Sequence, residues 1–180
     1  QGSLAGATLI LMASFVASRL LGLIRESVLA YQFGTNPDYG AYLAAFRVPD
    51  FLFNVIGAGA IGSAFIPVFA AALARREQDD AWRLASAIMN LLTVFLILGA
   101  VVTAIFAPQI TTQLIVPEYP PEEQALTAAL VRVMLVSPVL FGVSGLIMAI
   151  LNSHQRFFLP SLSPIVYNLA IIFGATVLAP

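Results

Sequence analysis

The sequence contains no cysteine and no lysine, and it has little charge of either sign. Without cysteine it cannot form disulfides, thiolate nucleophiles or cysteine-ligated zinc sites. The eight basic residues are all arginine, and nine acidic residues bring the net charge to −1. The chain therefore has no overall positive field of the kind that attracts nucleic acid, and we expect no nucleic-acid partner.

Charged residues make up only 9% of the 180 residues, whereas about 25% is usual in soluble domains. Hydrophobic residues make up 60%, and the mean hydropathy is +0.95. This is more apolar material than a globule of this length can bury. The composition therefore predicts an all-α, polytopic membrane helix bundle with membrane lipids around it.

Windows without charge locate the predicted membrane spans. The second of them, 39–74, is long for one span. Pro49 and the small-residue run GAGAIGSA at 57–64 interrupt it, so we expect a bent or broken helix there, with Gly57 and Gly59 among the hinge positions. The five predicted spans are about 4–33, 39–74, 84–107, 126–151 and 159–179.

The loops between these spans differ in their arginine content. Loops 75–83 and 152–156 together contain four arginines, whereas loops 34–40 and 108–124 contain none. The positive-inside rule then places the first two loops, and with them the N-terminus, in the cytoplasm.

The prolines and glutamates of 108–124 predict an interfacial loop. Because the sequence lacks an initiator Met and stops directly after an apolar run, we expect it to be part of a longer chain.

Two arginines and a glutamate lie inside the first predicted span, in the segment SRLLGLIRE at 18–26. Arg19 lies near the midplane, where a charged side chain costs at least about 2.5–3.5 kcal/mol on insertion scales. In a straight helix Arg25 points about 120° away from Arg19, so a bend or close packing at Gly22 is needed to bring the two together. Glu26 follows Arg25 directly, and adjacent residues on a helix are not expected to face each other.

The second predicted span adds Arg47, Asp50 and Asn54, whose spacing places them on one helical face. An Arg47–Asp50 pair is geometrically possible across Pro49. Such a polar face is expected to line the protein interior or a water-filled cavity. Three alternatives remain open: Arg47 snorkels to the outer interface, Arg25 and Glu26 form ordinary buried ion pairs with neighbours in other helices, or Arg19 has a buried partner.

Three deep arginines and few intramembrane acids leave an excess of positive charge. An anionic ligand would neutralise it, and guanidinium groups are well suited to phosphate and pyrophosphate. Residues Arg19, Arg25 and Arg47 are therefore the candidate binding residues, and Ser18, Glu26, Asp50 and Asn54 are candidate supporting residues.

Nothing in the sequence points to catalysis, a cofactor or a metal. The single histidine, His154, lies in a loop, and no Ser–His–Asp or paired-carboxylate arrangement suggests hydrolysis. The run GAGAIGSA lacks the Gly-Lys-Ser/Thr ending of a phosphate-binding loop, and we interpret it as close helix packing. We interpret the asparagines in the apolar segments as interhelical hydrogen-bonding residues; they are Asn90, Asn152 and Asn168.

Four segments resemble the MurJ (MviN) family, proposed flippases for the lipid-linked peptidoglycan precursor. They are SRLLGLIRESVLAYQFG (18–34), AYLAAFRVPDFL (41–52), AFIPVFA (64–70) and LNSHQRFFLPSLSPIVYNLAII (151–172). The resemblance covers essentially the whole chain but only about the first five of the family's fourteen helices. It implies that residues 1–180 form an incomplete N-terminal lobe of a two-lobed transporter in the bacterial inner membrane, completed by further helices.

The resemblance also implies a ligand and a mechanism. The family's central cationic cavity would bind the diphosphate of lipid II, or of a similar polyprenyl-diphosphate saccharide. The protein would then transport this lipid by alternating access. Its two first-helix arginines match Arg19 and Arg25, and the basic residue of its Lys/Arg-hydrophobe-Pro motif matches Arg47. The expected hinges are Gly22, Pro49, Gly57 and Gly59.

The chain departs from the family pattern at positions where the family often has charge. Gly40 and Ala58 stand where acidic residues are common, and Phe53 and Asn54 replace an arginine pair. Three alternatives therefore remain: a non-transporting scaffold or sensor that binds lipid II, a related exporter of lipid-linked oligosaccharides or drugs, and an integral-membrane glycosyltransferase. The arginines disfavour a drug exporter, and the lack of a metal-binding carboxylate cluster disfavours the glycosyltransferase.

Overall fold

The structure, a computed structural model, describes residues 4–34, 36–58, 65–154, 156 and 158–178. All regular elements in this part of the chain are helical and none is a strand, which confirms the predicted all-α class. The chain divides into two compact units. The first unit combines Gln1–Asn36 with His154–Pro180, and the second unit is the intervening segment Pro37–Ser153.

Eight α-helices and three π-helical segments account for the regular structure of the described residues. The α-helices are α1 (Leu4–Phe33), α2 (Pro37–Leu52), α3 (Ile66–Ala74), α4 (Gln78–Ile105), α5 (Ala107–Ile110), α6 (Pro121–Met134), α7 (Val136–Ser153) and α8 (Phe158–Phe173). The π-helical segments Phe53–Ala58, Thr111–Ile115 and Gly174–Leu178 follow α2, α5 and α8. The residue after α1 is Gly34, which has a positive φ of 55° and whose N–H donates to the Ala30 carbonyl at 2.9 Å.

Three segments of the described chain are long and apolar enough to cross a membrane. They are Gln78–Ile105, Pro121–Ser153 and Phe158–Leu178, and they correspond to the third, fourth and fifth predicted spans. The second of these segments comprises α6 and α7, which are separated only by Leu135. Helix α4 begins before the predicted position, and Asp79 and Asp80 lie in its first turn, where carboxylates interact favourably with the helix dipole.

The predicted second span is not one regular helix. Pro49 lies inside α2, where it has no N–H to donate to the carbonyl one turn earlier. The backbone changes from α-helical to π-helical geometry at Phe53 and continues so to Ala58. Gly57 belongs to this π-helical segment, whereas Gly59 lies outside the described residues.

The prediction of a loop over 108–124 is wrong outside 116–120, because its first half is helical and α6 begins at Pro121. Helix α5 and the π-helical segment after it extend to Ile115, and Pro108 occupies the first turn of α5, where proline is tolerated. Because Pro108 has no N–H, the Ala104 carbonyl at the end of α4 lacks its usual donor. The Arg132 side chain of α6 supplies one, with Nε 3.1 Å from that oxygen.

Two apolar clusters form the core of the second unit. One joins α3, α4 and α7 through buried side chains that include Phe65, Phe69, Leu96 and Leu146. The other joins α2, α5 and α6 through Ala45, Val48, Ala107, Val131 and Leu135. Gly142 of α7 packs directly against Leu96 of α4, so closely that an added Cβ would overlap the Leu96 side chain.

The first unit has a much smaller core. Its buried apolar side chains among the described residues are Leu29 and Ala175. Helices α1 and α8 also meet through polar side chains. Ser14 Oγ lies 3.3 Å from Ser161 Oγ, and buried Asn168 donates to the Ser18 carbonyl at 3.3 Å and to the Pro164 carbonyl at 2.9 Å. Polar contacts thus contribute to the attachment of α8 to α1.

Candidate functional site

Arg19 lies on the surface of the first unit, near the middle of α1. Its guanidinium carbon is 5.2 Å from the centroid of the Phe15 ring, one helical turn earlier. A ring face attracts a cation without neutralising it. Among the described residues Arg19 has no carboxylate partner, so its full positive charge is available to a ligand.

Arg25 and Glu26 form an ion pair, contrary to the expectation that these neighbours do not face each other. Arg25 Nη2 lies 2.5 Å from Glu26 Oε1, and the two side chains are 25% and 59% exposed. Both side chains are long enough to meet although their Cβ atoms point in different directions. The Nε atom of Arg25 is buried and has no hydrogen-bond partner among the described residues. Glu26 therefore pairs with Nη2 of this guanidinium and leaves Nε without a hydrogen-bond acceptor among the described residues.

Asn168, which the sequence predicts only as an interhelical hydrogen-bonding residue, also belongs to this region. Its side-chain amide donates to the carbonyl of Ser18, the residue before Arg19. It therefore fixes α8 against α1 at the level of Arg19. Ser18 contributes to this contact through its backbone oxygen. The sequence signal was a polar amide in an apolar segment, but only the fold shows which helix it contacts.

Gly22, between the two arginines, lies in continuous α-helix. No described atom outside its own helical turn lies within 4 Å of the position where its Cβ would be. The prediction of close packing at this glycine is therefore wrong for the described part of the chain. The α-helical geometry of α1 continues through Gly22, and Gly22 stays a hinge prediction.

Arg47 belongs to the second unit and is exposed on α2. It lines a groove of about 360 Å³ between α2 and the chain that follows Thr111–Ile115. Arg47 and Asp50 form no ion pair with each other, and Asp50 and Asn54 are both exposed. The groove is lined by Gly40, Leu43, Ala44, Arg47, Ile115, Val116, Pro117, Glu118 and Tyr119.

The predicted binding residues are thus divided between the two units. Arg19, Arg25 and the supporting Glu26 lie on α1, whereas Arg47 lies on α2 with Asp50, and Asn54 lies in the following π-helical segment. The described residues contain no cluster of three or more His, Asp or Glu side chains that could hold a metal ion. Within each unit, the chemistry available is that of guanidinium groups able to bind an anion.

A family profile and individual relatives that match this chain carry the same family name. The family profile of lipid II flippase MurJ matches residues 29–180. The chain is 31% identical over 158 residues to a probable lipid II flippase MurJ of Buchnera aphidicola, a match that covers 87% of this chain and 31% of that protein. It is 30% identical over 157 residues to the lipid II flippase MurJ of Thermosipho africanus, covering 87% of this chain and 32% of the relative.

The matches differ in whether they include the first two arginines. The family profile begins after Arg19 and Arg25, whereas Arg47 lies within it. A probable lipid II flippase MurJ of Synechocystis is 28% identical over 172 residues. That match covers 96% of this chain, which includes both arginines, and 32% of the relative. The chain therefore spans about a third of the length of the curated relatives that it matches.

Proposed function

Because the chain belongs to the MurJ family of lipid II flippases, we propose that it is part of a transporter for a lipid-linked saccharide diphosphate. The substrate is lipid II or a similar polyprenyl-diphosphate saccharide, which the complete protein moves outward across the bacterial inner membrane. The remaining helices of the same protein complete the transport path, and the N-terminus lies in the cytoplasm. The arginine-rich loops 75–83 and 152–156 support this orientation.

The observation that carries this proposal is the environment of Arg19. A guanidinium near the middle of a 30-residue apolar helix has a ring beside it but no carboxylate among the described residues. A charge of this kind is costly in lipid and marks a ligand pathway when it faces a water-filled cavity. A diphosphate would neutralise it with charge-assisted hydrogen bonds.

The other site residues have distinct roles in the proposed mechanism. Arg25 is the second diphosphate ligand, and Glu26 orients it through the ion pair. Arg47 contacts the substrate nearer the outer side of the membrane, supported by Asp50 and Asn54. Ser18 holds α1 in place through the Asn168 contact with its carbonyl.

Transport requires that inward-open and outward-open states bind the substrate with different affinity. We place the hinges for this alternation at Gly22, Pro49, Gly57 and Gly59. The π-helical geometry that begins at Phe53, shortly after Pro49, supports a deformable region in this part of the chain. Such bulges are frequent at functional sites.

The test removes the charges in the full-length protein. Arg19→Gln and Arg25→Gln, singly and together, should weaken lipid II binding, each by about tenfold or more, because a hydrogen bond to a charged group contributes about 1.5–3 kcal/mol. Arg83→Gln, an exposed arginine near the start of α4, is the matched control and should bind normally. Unchanged lipid II binding and unchanged complementation of a flippase-deficient strain in the double variant would refute the assignment.

A second function is favoured by a specific set of residues. Phe53, Asn54 and Ala58 lack the charges that the family resemblance leads one to expect at these positions. A protein that binds lipid II without moving it, as a scaffold or sensor, would retain Arg19 and Arg25 and lack transport. A flipping assay on the full-length protein in vesicles separates the two functions, since the scaffold binds lipid II but leaves its distribution between the leaflets unchanged.

A further inference from the structure

The groove on the second unit contains a cation and an anion that do not pair with each other. Arg47 lies on its α2 side, and Glu118 and Tyr119 lie on the opposite side. Among the described residues, none of these three side chains has a hydrogen bond or ion pair. Three polar groups of different chemistry therefore line one cavity of about 360 Å³ with their binding capacity unused.

The wall that carries Glu118 is held in place by hydrogen bonds. Gln124 of α6 donates from Nε2 to the carbonyls of Val116 and Pro117, at 3.0 and 3.1 Å. The Tyr119 N–H donates to the Val116 carbonyl at 3.2 Å, and Val116 itself is buried. The groove is thus formed before any ligand binds, which lowers the entropic cost of binding.

The chemistry of the two charged groups specifies a ligand with both signs of charge. A guanidinium only donates hydrogen bonds, and a carboxylate only accepts them. A purely anionic ligand would lie close to the Glu118 carboxylate, and a purely cationic one would lie close to Arg47. A ligand that contains a phosphate or carboxylate beside a primary ammonium group satisfies both side chains at once.

The rest of the groove indicates that this ligand also has an apolar part. Leu43, Ala44 and Ile115 complete the walls between the polar groups. Helix α2 contacts α4, one of the segments long enough to cross a membrane. The π-helical segment that contains Ile115 contacts α5, which in turn contacts α4. A zwitterionic headgroup with hydrocarbon chains is the chemistry that fits an apolar wall beside a membrane-spanning helix.

We propose that this groove binds the headgroup of an aminophospholipid, phosphatidylethanolamine. The phosphate accepts hydrogen bonds from Arg47, the ammonium group donates to Glu118, and the start of an acyl chain lies along Leu43 and Ile115. Tyr119 supplies a hydroxyl that can bond to the glycerol ester region. This site goes beyond the proposed transport function and shares only Arg47 with it.

The experiment uses the full-length protein, purified from vesicles with equal amounts of phosphatidylethanolamine, phosphatidylcholine and phosphatidylglycerol that carry identical oleoyl chains. Lipids retained by the protein are quantified by mass spectrometry. We expect phosphatidylethanolamine to be retained about tenfold more than phosphatidylcholine, because the quaternary ammonium of the latter cannot donate a hydrogen bond to Glu118. Phosphatidylglycerol, which has no cation, should be retained as weakly as phosphatidylcholine.

Two sets of variants test the roles of the residues. Glu118→Gln should remove the preference for phosphatidylethanolamine over phosphatidylcholine. Glu122 is an exposed glutamate outside the groove, so Glu122→Gln should keep the preference.

Gly40→Asp should also weaken retention of phosphatidylethanolamine. Its carboxylate would enter the groove near the Tyr119 hydroxyl, which lies 3.7 Å from the Cβ position of residue 40, and would repel the phosphate of the lipid. Gly40→Asn, of the same size without the charge, should retain the lipid better than Gly40→Asp.

Equal retention of the three lipids by the unmodified protein would overturn the proposal, as would an unchanged preference in Glu118→Gln. Strong retention of phosphatidylglycerol would show that only the Arg47 charge matters, which also contradicts a zwitterion site. Lipid II binding by Glu118→Gln separates this result from the proposed transport function, since that function relies on Arg19 and Arg25 and should survive the substitution.

Discussion

The two units of the molecule are stabilised in different ways. In the second unit, one apolar cluster joins α3, α4 and α7, and another joins α2, α5 and α6. Gly142 allows α7 to pack closely on α4. In the first unit, α1 and α8 bury few apolar side chains among the described residues and meet partly through Asn168 and a serine pair. The unit that carries Arg19 and Arg25 is thus the more sparsely packed of the two.

This difference has a consequence for function. Elements with few buried apolar contacts open and rearrange at lower free energy than densely packed ones. Placing the two candidate diphosphate ligands on α1 lets them move without disrupting an apolar core. Arg47, in contrast, belongs to a densely packed unit whose groove is fixed by hydrogen bonds from Gln124.

The largest effect is expected from filling the space at Gly142. Gly142→Val should lower the free energy of unfolding by about 1–3 kcal/mol, because extra atoms in a well-packed core force side chains and backbone to shift. Gly22→Val is the matched variant in the first unit. Since a Cβ at Gly22 meets no described atom within 4 Å, we expect its effect to stay within about 0.5 kcal/mol.

Both values can be measured by denaturant titration of the full-length protein in mixed micelles. A loss at Gly22 as large as that at Gly142 would show that the first unit is packed as tightly as the second, and the contrast between the units would then be wrong. A negligible loss at Gly142 would mean that Leu96 can adopt another rotamer without cost to its cluster.

The helices could be predicted from the sequence because membrane spans require long, predominantly apolar segments, and α1 is such a segment in spite of its three charged residues. Helix α1 and the three segments long enough to cross a membrane all lie close to the predicted ranges. The helical first half of 108–124 was missed because its prolines suggested a loop, although proline in a first helical turn sacrifices no intrahelical hydrogen bond.

The candidate sites were harder to predict because they depend on contacts between distant parts of the chain. Glu118 lies in the segment that the sequence predicts to be an interfacial loop, and only the packing of residues 115–119 beside α2 places it in the same groove as Arg47. The Arg25–Glu26 pair was missed for a different reason. Spacing rules describe the directions of Cβ atoms, and two long flexible side chains can meet in spite of them.

A smaller effect is expected from Asn168, the polar contact that joins α8 to α1. Asn168→Leu keeps a similar volume but removes the hydrogen bond to the Ser18 carbonyl. Interhelical hydrogen bonds in membrane proteins contribute about 0.6 kcal/mol on average, so amide hydrogen exchange in α1 and α8 should quicken about threefold. Asn152→Leu, at an exposed position near the end of α7, should leave exchange in these helices unchanged. Equal exchange in both variants would show that the apolar contacts alone hold α8.

The smallest effect is expected from two ion pairs, Arg25–Glu26 in the first unit and Arg75–Glu77 in the second. Glu26→Gln and Glu77→Gln remove the carboxylates opposite Arg25 and Arg75, in pairs with N–O distances of 2.5 and 3.0 Å. Pairs that are exposed to water contribute about 0–1 kcal/mol, and we expect this range for both variants in denaturant titrations. The Glu26 variant is the more informative one, because Arg25 lies in an apolar helix. If Glu26→Gln costs about 3 kcal/mol or more, the value typical of breaking a buried pair, then Arg25 is shielded from water and its role as a diphosphate ligand in a wet cavity is excluded.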